Sequence, residues 1–190
     1  MIVVAPMNKP LFRLSILSLS LFFTVPAWAV SLDTVFRDSF FDSQIYEENR
    51  CGQNIERLLI RLQDSGIELD GLEVFEIINQ GIENFGLLAA YQARVGYQTN
   101  WGHHVVLFDG KKIYDLDFTR SPDPRSPSNY FDEMFKNERT RTDRARCLKT
   151  VGTYELRIYQ AQDYLDYMSR RGRMKIKATR LKDLPKWGCG

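Results

Sequence analysis

The chain has 190 residues, of which 44% are hydrophobic and 26% charged, and its formal net charge is +2. No internal repeat, low-complexity linker or second long apolar span divides it, which excludes a repeat array and argues for one domain with a real core.

The amino terminus has the composition of a secretory signal peptide. Lys9 and Arg13 precede an apolar run, and the small-residue motif Ala27-Trp28-Ala29 follows that run. The run is too short for a comfortable membrane span, so an uncleaved anchor is the less favoured alternative. We predict that residues 1–29 are removed and that residues 30–190 form a single periplasmic or secreted domain without a stable membrane span.

The predicted leader carries the whole net charge of the chain. It contains two basic residues and no acidic residue, so Lys+Arg falls from 26 to 24 and equals the 24 Asp+Glu. A neutral chain is not the electrostatic footprint of a general nucleic-acid binder. We predict no nucleic-acid partner, and the sequence leaves the oligomeric state open.

A cysteine opens the first amphipathic segment of the mature chain. Apolar residues follow it at helical spacing: Ile55, Leu58, Leu59 and Leu62. We predict a helix with Asn49 as its N-cap and Gly66 near its end, which places Cys51 in the first turn. Backbone N–H groups and the helix dipole favour a thiolate there and can stabilise an oxyanion. A small buried thiol is the alternative interpretation of Cys51.

Two elements are predicted before the next motif. Residues 72–85 favour a second helix, weakened at Gly81, and residues 88–98 favour a strand.

Two histidines, the only ones in the chain, lie in a predicted β-hairpin. Asp109-Gly110 between two strand-forming runs predicts a two-residue type I′ turn. That register places His104 opposite Asp115 and His103 on the other face of the sheet. A carboxylate bonded to one ring nitrogen orients an imidazole whose other nitrogen acts as a base, although such pairs are also structural.

The remaining elements complete an α+β pattern, with helices followed by an antiparallel sheet. They are the hairpin strands 103–108 and 112–117, a proline-rich loop at 121–129, a helix around 130–137, a strand at Tyr154–Gln160 and a helix at Ala161–Arg170.

Three cysteines in an exported chain leave one thiol unpaired when one disulfide forms. Each of the three pairings is possible, as is a bond to another chain. We favour a disulfide between Cys147 and Cys189, because the surroundings of Cys51 suit a reactive thiol.

A cysteine opening a helix, followed by a histidine and an aspartate opposed across a hairpin, is the arrangement of papain-like cysteine hydrolases. We therefore predict a papain-like α+β fold with Cys51, His104 and Asp115 as a catalytic triad and no cofactor. A metal site is disfavoured, because neighbouring strand residues point to opposite faces and each face has one imidazole.

Further segments carry a family resemblance through most of the mature chain. They are Cys51-x-x-Asn54, Gln92-Ala93-Arg94, Trp101-x-x-His104, Ile113–Thr119, Tyr130-Phe131, Arg157-Ile158, Asp163-Tyr164-Leu165 and Met174. These residues resemble the protein N-terminal glutamine amidohydrolases, small papain-like enzymes that deamidate an amino-terminal glutamine to glutamate. The resemblance implies the same triad. It departs after the nucleophile, where Gly52-Gln53 stands in place of acidic residues.

The implied mechanism is acyl transfer, with His104 as the acid and base of both steps. The candidates for oxyanion or substrate binding are Gln44, Asn49, Asn54, Trp101 and Asp117. Open alternatives are an exported deamidase or transglutaminase-like enzyme acting on internal glutamines of protein substrates, a peptidase, or a non-catalytic exported binding module.

Overall fold

The structure is a computed structural model that describes residues 30–80, 88–90, 94, 99–101, 103–118, 120–134, 154–170 and 175–180. The predicted signal peptide and the predicted Cys147–Cys189 disulfide lie outside these residues. Across the ranges described, no helix has both the length and the apolar character needed to cross a bilayer.

Helices and one main antiparallel sheet make up the described part of the chain, which confirms the α+β class. The helices are α1 (Leu32–Phe40), α2 (Cys51–Asp64), α3 (Pro127–Met134) and α4 (Ala161–Met168). The strands are β1 (Glu73–Asn79), β2 (Leu88–Ala90), β3 (Thr99–Trp101), β4 (His103–Phe108), β5 (Ile113–Tyr114), β6 (Tyr154–Gln160) and β7 (Lys177–Arg180). Five of them form a sheet in the order β5-β4-β1-β6-β7, and β2 pairs with β3 separately.

Helix α2 packs its apolar face on this sheet, as its sequence periodicity predicts. The buried aliphatic residues of the helix are Ile55, Leu58, Leu59 and Leu62, and they share a cluster with Val74, Val105 and Leu107 of the sheet. Complete burial of each aliphatic side chain contributes about 1.5–3 kcal/mol. The chain leaves the helix at Gly66, whose φ of +77° suits glycine. This packing fixes the first turn of α2 against the start of β4.

The predicted helix over residues 72–85 is wrong where the structure describes it, because Glu73–Asn79 is the central strand β1. Phe75 and Ile77 are buried on one face of the sheet, and Val74 is buried on the other. A strand covered on both faces has a continuous apolar run without clear alternation, and such a run is easily confused with a buried helix.

The predicted hairpin register is also wrong. Leu107 pairs with Tyr114 and Phe108 with Ile113, so the turn is centred on Gly110-Lys111, one residue later than predicted. Gly110 has φ +88° at the first central position, which fits a type II′ turn. The Asp109 carboxylate accepts the N–H groups of Lys111 and Lys112 at 2.8 and 2.6 Å. This side-chain capping makes Asp109 the residue that precedes the turn.

Other boundaries differ from the predictions by smaller amounts. Strand β6 is confirmed over Tyr154–Gln160, and the following helix ends at Met168. Helix α3 begins at Pro127, a residue suited to a first helical position, three residues before the predicted start. Of the predicted strand 88–98, Leu88–Ala90 is a strand and Arg94 is in a turn, and the other residues of that range lie outside those described. Helix α1 and strands β3 and β7 were not predicted.

Candidate active site

Cys51 is the first residue of α2, as predicted, and it is a half-buried free thiol. The first helical hydrogen bond runs from the Asn54 N–H to the Arg50 carbonyl at 2.8 Å, so the N–H groups of residues 51–53 precede the helical ladder. Asn49 is not the N-cap. Arg50 occupies that position without a side-chain cap, and Asn49 has a left-handed φ of +61° beside it.

Both histidines interact with the Cys51 sulfur. Sγ also lies 3.9 Å from the backbone carbonyl oxygen of His103. Burial raises the pKa of the Cys51 thiol, but hydrogen bonds with the His103 and His104 side chains outweigh it and lower the pKa to about 6. The sulfur is therefore largely a thiolate at neutral pH, which is the reactive form of cysteine.

We expect the rate of Cys51 alkylation by iodoacetamide to rise with pH about a midpoint near 6 in the folded protein. Only the thiolate reacts, and an unperturbed thiol would have its midpoint at about 8.5. The measurement is peptide mapping of the Cys51 adduct after timed exposure across pH 4 to 10. The same protein in denaturant is the control. A folded-state midpoint of 8 or above would contradict a paired thiolate.

His104 and Asp115 form the contact that the sequence predicts, although the predicted register is wrong. His104 Nε2 lies 2.8 Å from Asp115 Oδ2, and both side chains are buried. Strand β5 ends at Tyr114, and the chain then bends, because Asp115 Oδ1 accepts the N–H groups of Asp117 and Phe118 at 2.8 and 3.2 Å. The contact therefore depends on this bend and not on cross-strand pairing.

The pair is charged at neutral pH. Burial lowers the pKa of His104, but the Asp115 charge and hydrogen bond, with that of Cys51, raise it well above its usual value. Burial raises the pKa of Asp115, and the His104 charge and hydrogen bond bring it below its usual value. Since Nε2 contacts Asp115, Nδ1 is the ring nitrogen left for the interaction with Cys51.

Tyr130 of α3 supports the same carboxylate. Its hydroxyl donates to Asp115 Oδ2 at 2.6 Å and is fully buried. Asp115 thus accepts two bonds on each oxygen, which fixes its orientation. In the sequence Tyr130 is notable only for the family resemblance, and no role of its own was predicted for it.

Arg94 donates hydrogen bonds to the backbone of the bend that follows β5. Its guanidinium donates to the Leu116 carbonyl at 3.2 Å, and its backbone N–H donates to the Asp117 carbonyl at 2.8 Å. The guanidinium lies 4.0 and 3.9 Å from the ring centroids of Phe40 and Tyr46, within the range of cation–π interaction. Arg94, too, is notable in the sequence only for the family resemblance.

Asn54 and Asp117, two of the predicted binding residues, contact each other. The Asn54 side-chain amide donates to both Asp117 oxygens at 3.2 and 3.3 Å and exchanges hydrogen bonds with the Glu47 backbone. These hydrogen bonds connect the loop that precedes Cys51 with the bend that follows β5. Burial, followed by the charges of Asp115 and Cys51, raises the pKa of Asp117 to about 7.

A cleft of about 640 Å³ opens over the Cys51 sulfur. Its lining includes Asn49, Cys51, His103, Asp117, Tyr164 and, from β1 and β6, Glu76, Arg157 and Tyr159. Among the other candidates, Gln44 is exposed and lies outside this lining. The backbone of Trp101 pairs with Leu88 in the β2–β3 ladder.

The floor of the cleft carries a charged group that sequence reasoning missed. Glu76 accepts a hydrogen bond from the Tyr159 hydroxyl and lies 3.7 Å from the Arg157 guanidinium. Arg157 makes a shorter contact, of 2.6 Å, with Glu155. Glu76 is a polar residue among the apolar residues of β1. Because this segment was predicted to be a helix, the position of Glu76 on a sheet was not recognised.

No group of three potential ligands suited to a metal ion occurs among the described residues. No family model matches the chain, and comparison with curated proteins finds no significant match. The interpretation of this site therefore depends on its own geometry and chemistry.

Proposed function

We propose that this chain is an exported, papain-like cysteine amidohydrolase that deamidates glutamine side chains, preferentially at protein N-termini. The observation that carries the proposal is the alignment of three groups. Cys51 begins a helix and its thiol interacts electrostatically with His104, whose Nε2 is 2.8 Å from Asp115. A nucleophile, an acid–base group and an orienting carboxylate in this order are the requirements of thiol-dependent acyl transfer.

In the first half-reaction the Cys51 thiolate attacks the Cδ carbonyl of a substrate glutamine. The tetrahedral oxyanion lies near the first-turn N–H groups of α2, where the Cys51 amide is one donor. The His104 imidazolium gives its proton to the departing ammonia, and a thioester forms on Cys51. Asp115 stabilises the imidazolium that this step requires.

In the second half-reaction water attacks the thioester and releases glutamate. An imidazole must remove a proton from that water as the oxygen–carbon bond forms. Collapse of the second tetrahedral intermediate breaks the carbon–sulfur bond and restores the Cys51 thiolate. The net reaction converts a carboxamide and water into a carboxylate and ammonium.

Preference for an N-terminal glutamine requires a carboxylate in the cleft that accepts the substrate's α-ammonium group. Glu76 fits this role better than Asp117. Asp117 is buried and its pKa of about 7 leaves it close to half protonated at neutral pH. Glu76 is only partly buried, lines the cleft and lies in the row of the sheet that includes Val105 and Arg157.

Acetylating the α-amino group of a peptide with glutamine at its first position is expected to lower kcat/KM about ten- to hundredfold. The loss of one charge-assisted hydrogen bond costs about 1.5–3 kcal/mol, and each 1.4 kcal/mol is about a factor of ten. The measurement is ammonia release from paired free and acetylated peptides. An internal-glutamine peptide gives the baseline.

Glu76→Gln tests the residue assignment in the same assay. This variant should react equally with the two peptides, while Asp70→Asn, an exposed change outside the cleft lining, should keep the preference. Equal rates for both peptides in the unaltered protein would leave glutamine deamidation in place and reject the N-terminal specificity. No ammonia from any of the peptides would reject the amidohydrolase itself.

A further inference from the structure

Cys51 interacts with two histidines that lie on opposite faces of β4. His103 shares its face with Val105, which belongs to the core cluster under α2. His104 shares its face with Val106, which belongs to the cluster on the other side of the sheet. The Cys51 sulfur lies beside the first residue of β4, 3.9 Å from the His103 backbone oxygen, and both histidine side chains interact with it.

The two rings differ in their access to solvent. His104 is 0% exposed, whereas His103 is exposed and lines the cleft. A substrate acyl group on Cys51 would occupy the cleft side of the sulfur. The hydrolytic water must also approach from the cleft, where it meets His103 before any group on the buried face.

We propose that His103 is the catalytic base that activates water in the hydrolytic half-reaction, while His104 serves the acylation half-reaction. This inference rests on the proposed amidohydrolase function and divides between two rings the work that the sequence assigned to one. A general base must lie within hydrogen-bond reach of the proton it removes, and His103 is the imidazole that faces the cleft.

The step balances without another reactant. Water forms a bond to the thioester carbon while His103 takes one of its protons, and the carbon–sulfur bond then breaks to give a carboxylic acid and the Cys51 thiolate. The carboxylic acid then gives its proton to neutral His104, which restores the His104 imidazolium. The His103 imidazolium passes its proton to ammonia, and the products are a carboxylate and ammonium.

The charges around His103 favour its action as a base after the thioester has formed. In the free protein the hydrogen bond and charge of Cys51 raise the pKa of His103, against burial and the His104 charge and with a contribution from Glu76. The thioester carries no charge on sulfur, so its formation removes the largest of these effects. His103 then loses its proton more readily, and a neutral imidazole is the form that acts as a base.

The test compares His103→Gln with His104→Gln, using a peptide with glutamine at its first position. Intact mass spectrometry after rapid quenching follows both the formation and the decay of the covalent adduct on Cys51. Because His103 also lowers the pKa of Cys51, the rate of adduct formation is divided by the thiolate fraction that iodoacetamide titration gives for each variant. On that basis His103→Gln should form the adduct at a rate within about threefold of the unaltered protein, and adduct decay should slow by about 10²–10⁴-fold, the usual contribution of a general base. Hydroxylamine should release the trapped acyl group.

His104→Gln should instead suppress adduct formation. Adduct decay in His103→Gln at the unaltered rate would overturn the inference, as would formation per thiolate and decay slowed alike. Hydroxylamine separates catalysis from a structural role, since it attacks thioesters without a protein base. An unaltered protein that forms no adduct and releases no ammonia would reject the proposed function and this inference together, whereas normal turnover in His103→Gln would reject the inference alone.

Discussion

Cys51→Ala is expected to abolish ammonia release, with kcat falling by at least about 10⁴-fold, since members of a catalytic unit lose activity together when one is removed. Alanine keeps the helical position but removes the sulfur that would form the thioester in the proposed reaction. The measurement is ammonia release together with intact mass after exposure to substrate. The variant should show neither product nor adduct, while its melting temperature stays close to that of the unaltered protein.

Cys51→Ser is the matched control for size and polarity. A serine hydroxyl occupies nearly the same space, but it is not ionised at neutral pH and cannot form the ion pair with His104. We expect it to be as inactive as the alanine variant while preserving the fold. Ammonia release within tenfold of the unaltered protein in either variant would show that Cys51 is not the nucleophile.

The sequence predicted the pair of His104 and Asp115 through a register that the structure does not have. Continuing the observed pairing of Phe108 with Ile113 would place Asp117, not Asp115, opposite His104. The observed contact arises because the strand stops and Asp115 caps its own bend with two backbone N–H groups. Local turn chemistry of this kind is visible only once the end of the strand is known.

The helix that carries Cys51 was predicted correctly because its periodicity is strong and local. The cleft was not predicted, because its floor belongs to a strand covered on both faces. Glu76 lies opposite Arg157, and the two residues are 81 positions apart in the chain. A pairing of that kind depends on which strands become neighbours, and neither residue's surroundings indicate it.

The proximity of both histidines to one sulfur was also beyond sequence reasoning. Alternation along the strand correctly separated His103 from His104, and only His104 was predicted to have a role, as the partner of Asp115. The structure places Cys51 at the beginning of β4, where residues from both faces can approach the same atom. A side chain at the end of a sheet is not confined to one face in the way that a central side chain is.

Asp115→Asn is expected to lower kcat by about 10³–10⁴-fold with little loss of fold, because it reverses the tautomer of His104. The carboxylate accepts from Nε2 and stabilises the imidazolium. An amide facing Nε2 would donate to it, which leaves Nδ1 protonated and unable to accept the thiol proton. Without the Asp115 charge the pKa of His104 falls and that of Cys51 rises, so the alkylation midpoint should move upward from about 6.

The control for this change is Tyr130→Phe, which removes one hydrogen bond to the same carboxylate but keeps its charge. It should cost about tenfold or less in kcat, the equivalent of roughly 0.5–1.5 kcal/mol for a single hydrogen bond. Asp115→Asn should therefore be far more damaging to activity than Tyr130→Phe, although both loosen the same network. Similar small losses in the two variants, with an unchanged Cys51 midpoint, would mean that Asp115 supports the bend and does not tune the acid–base pair.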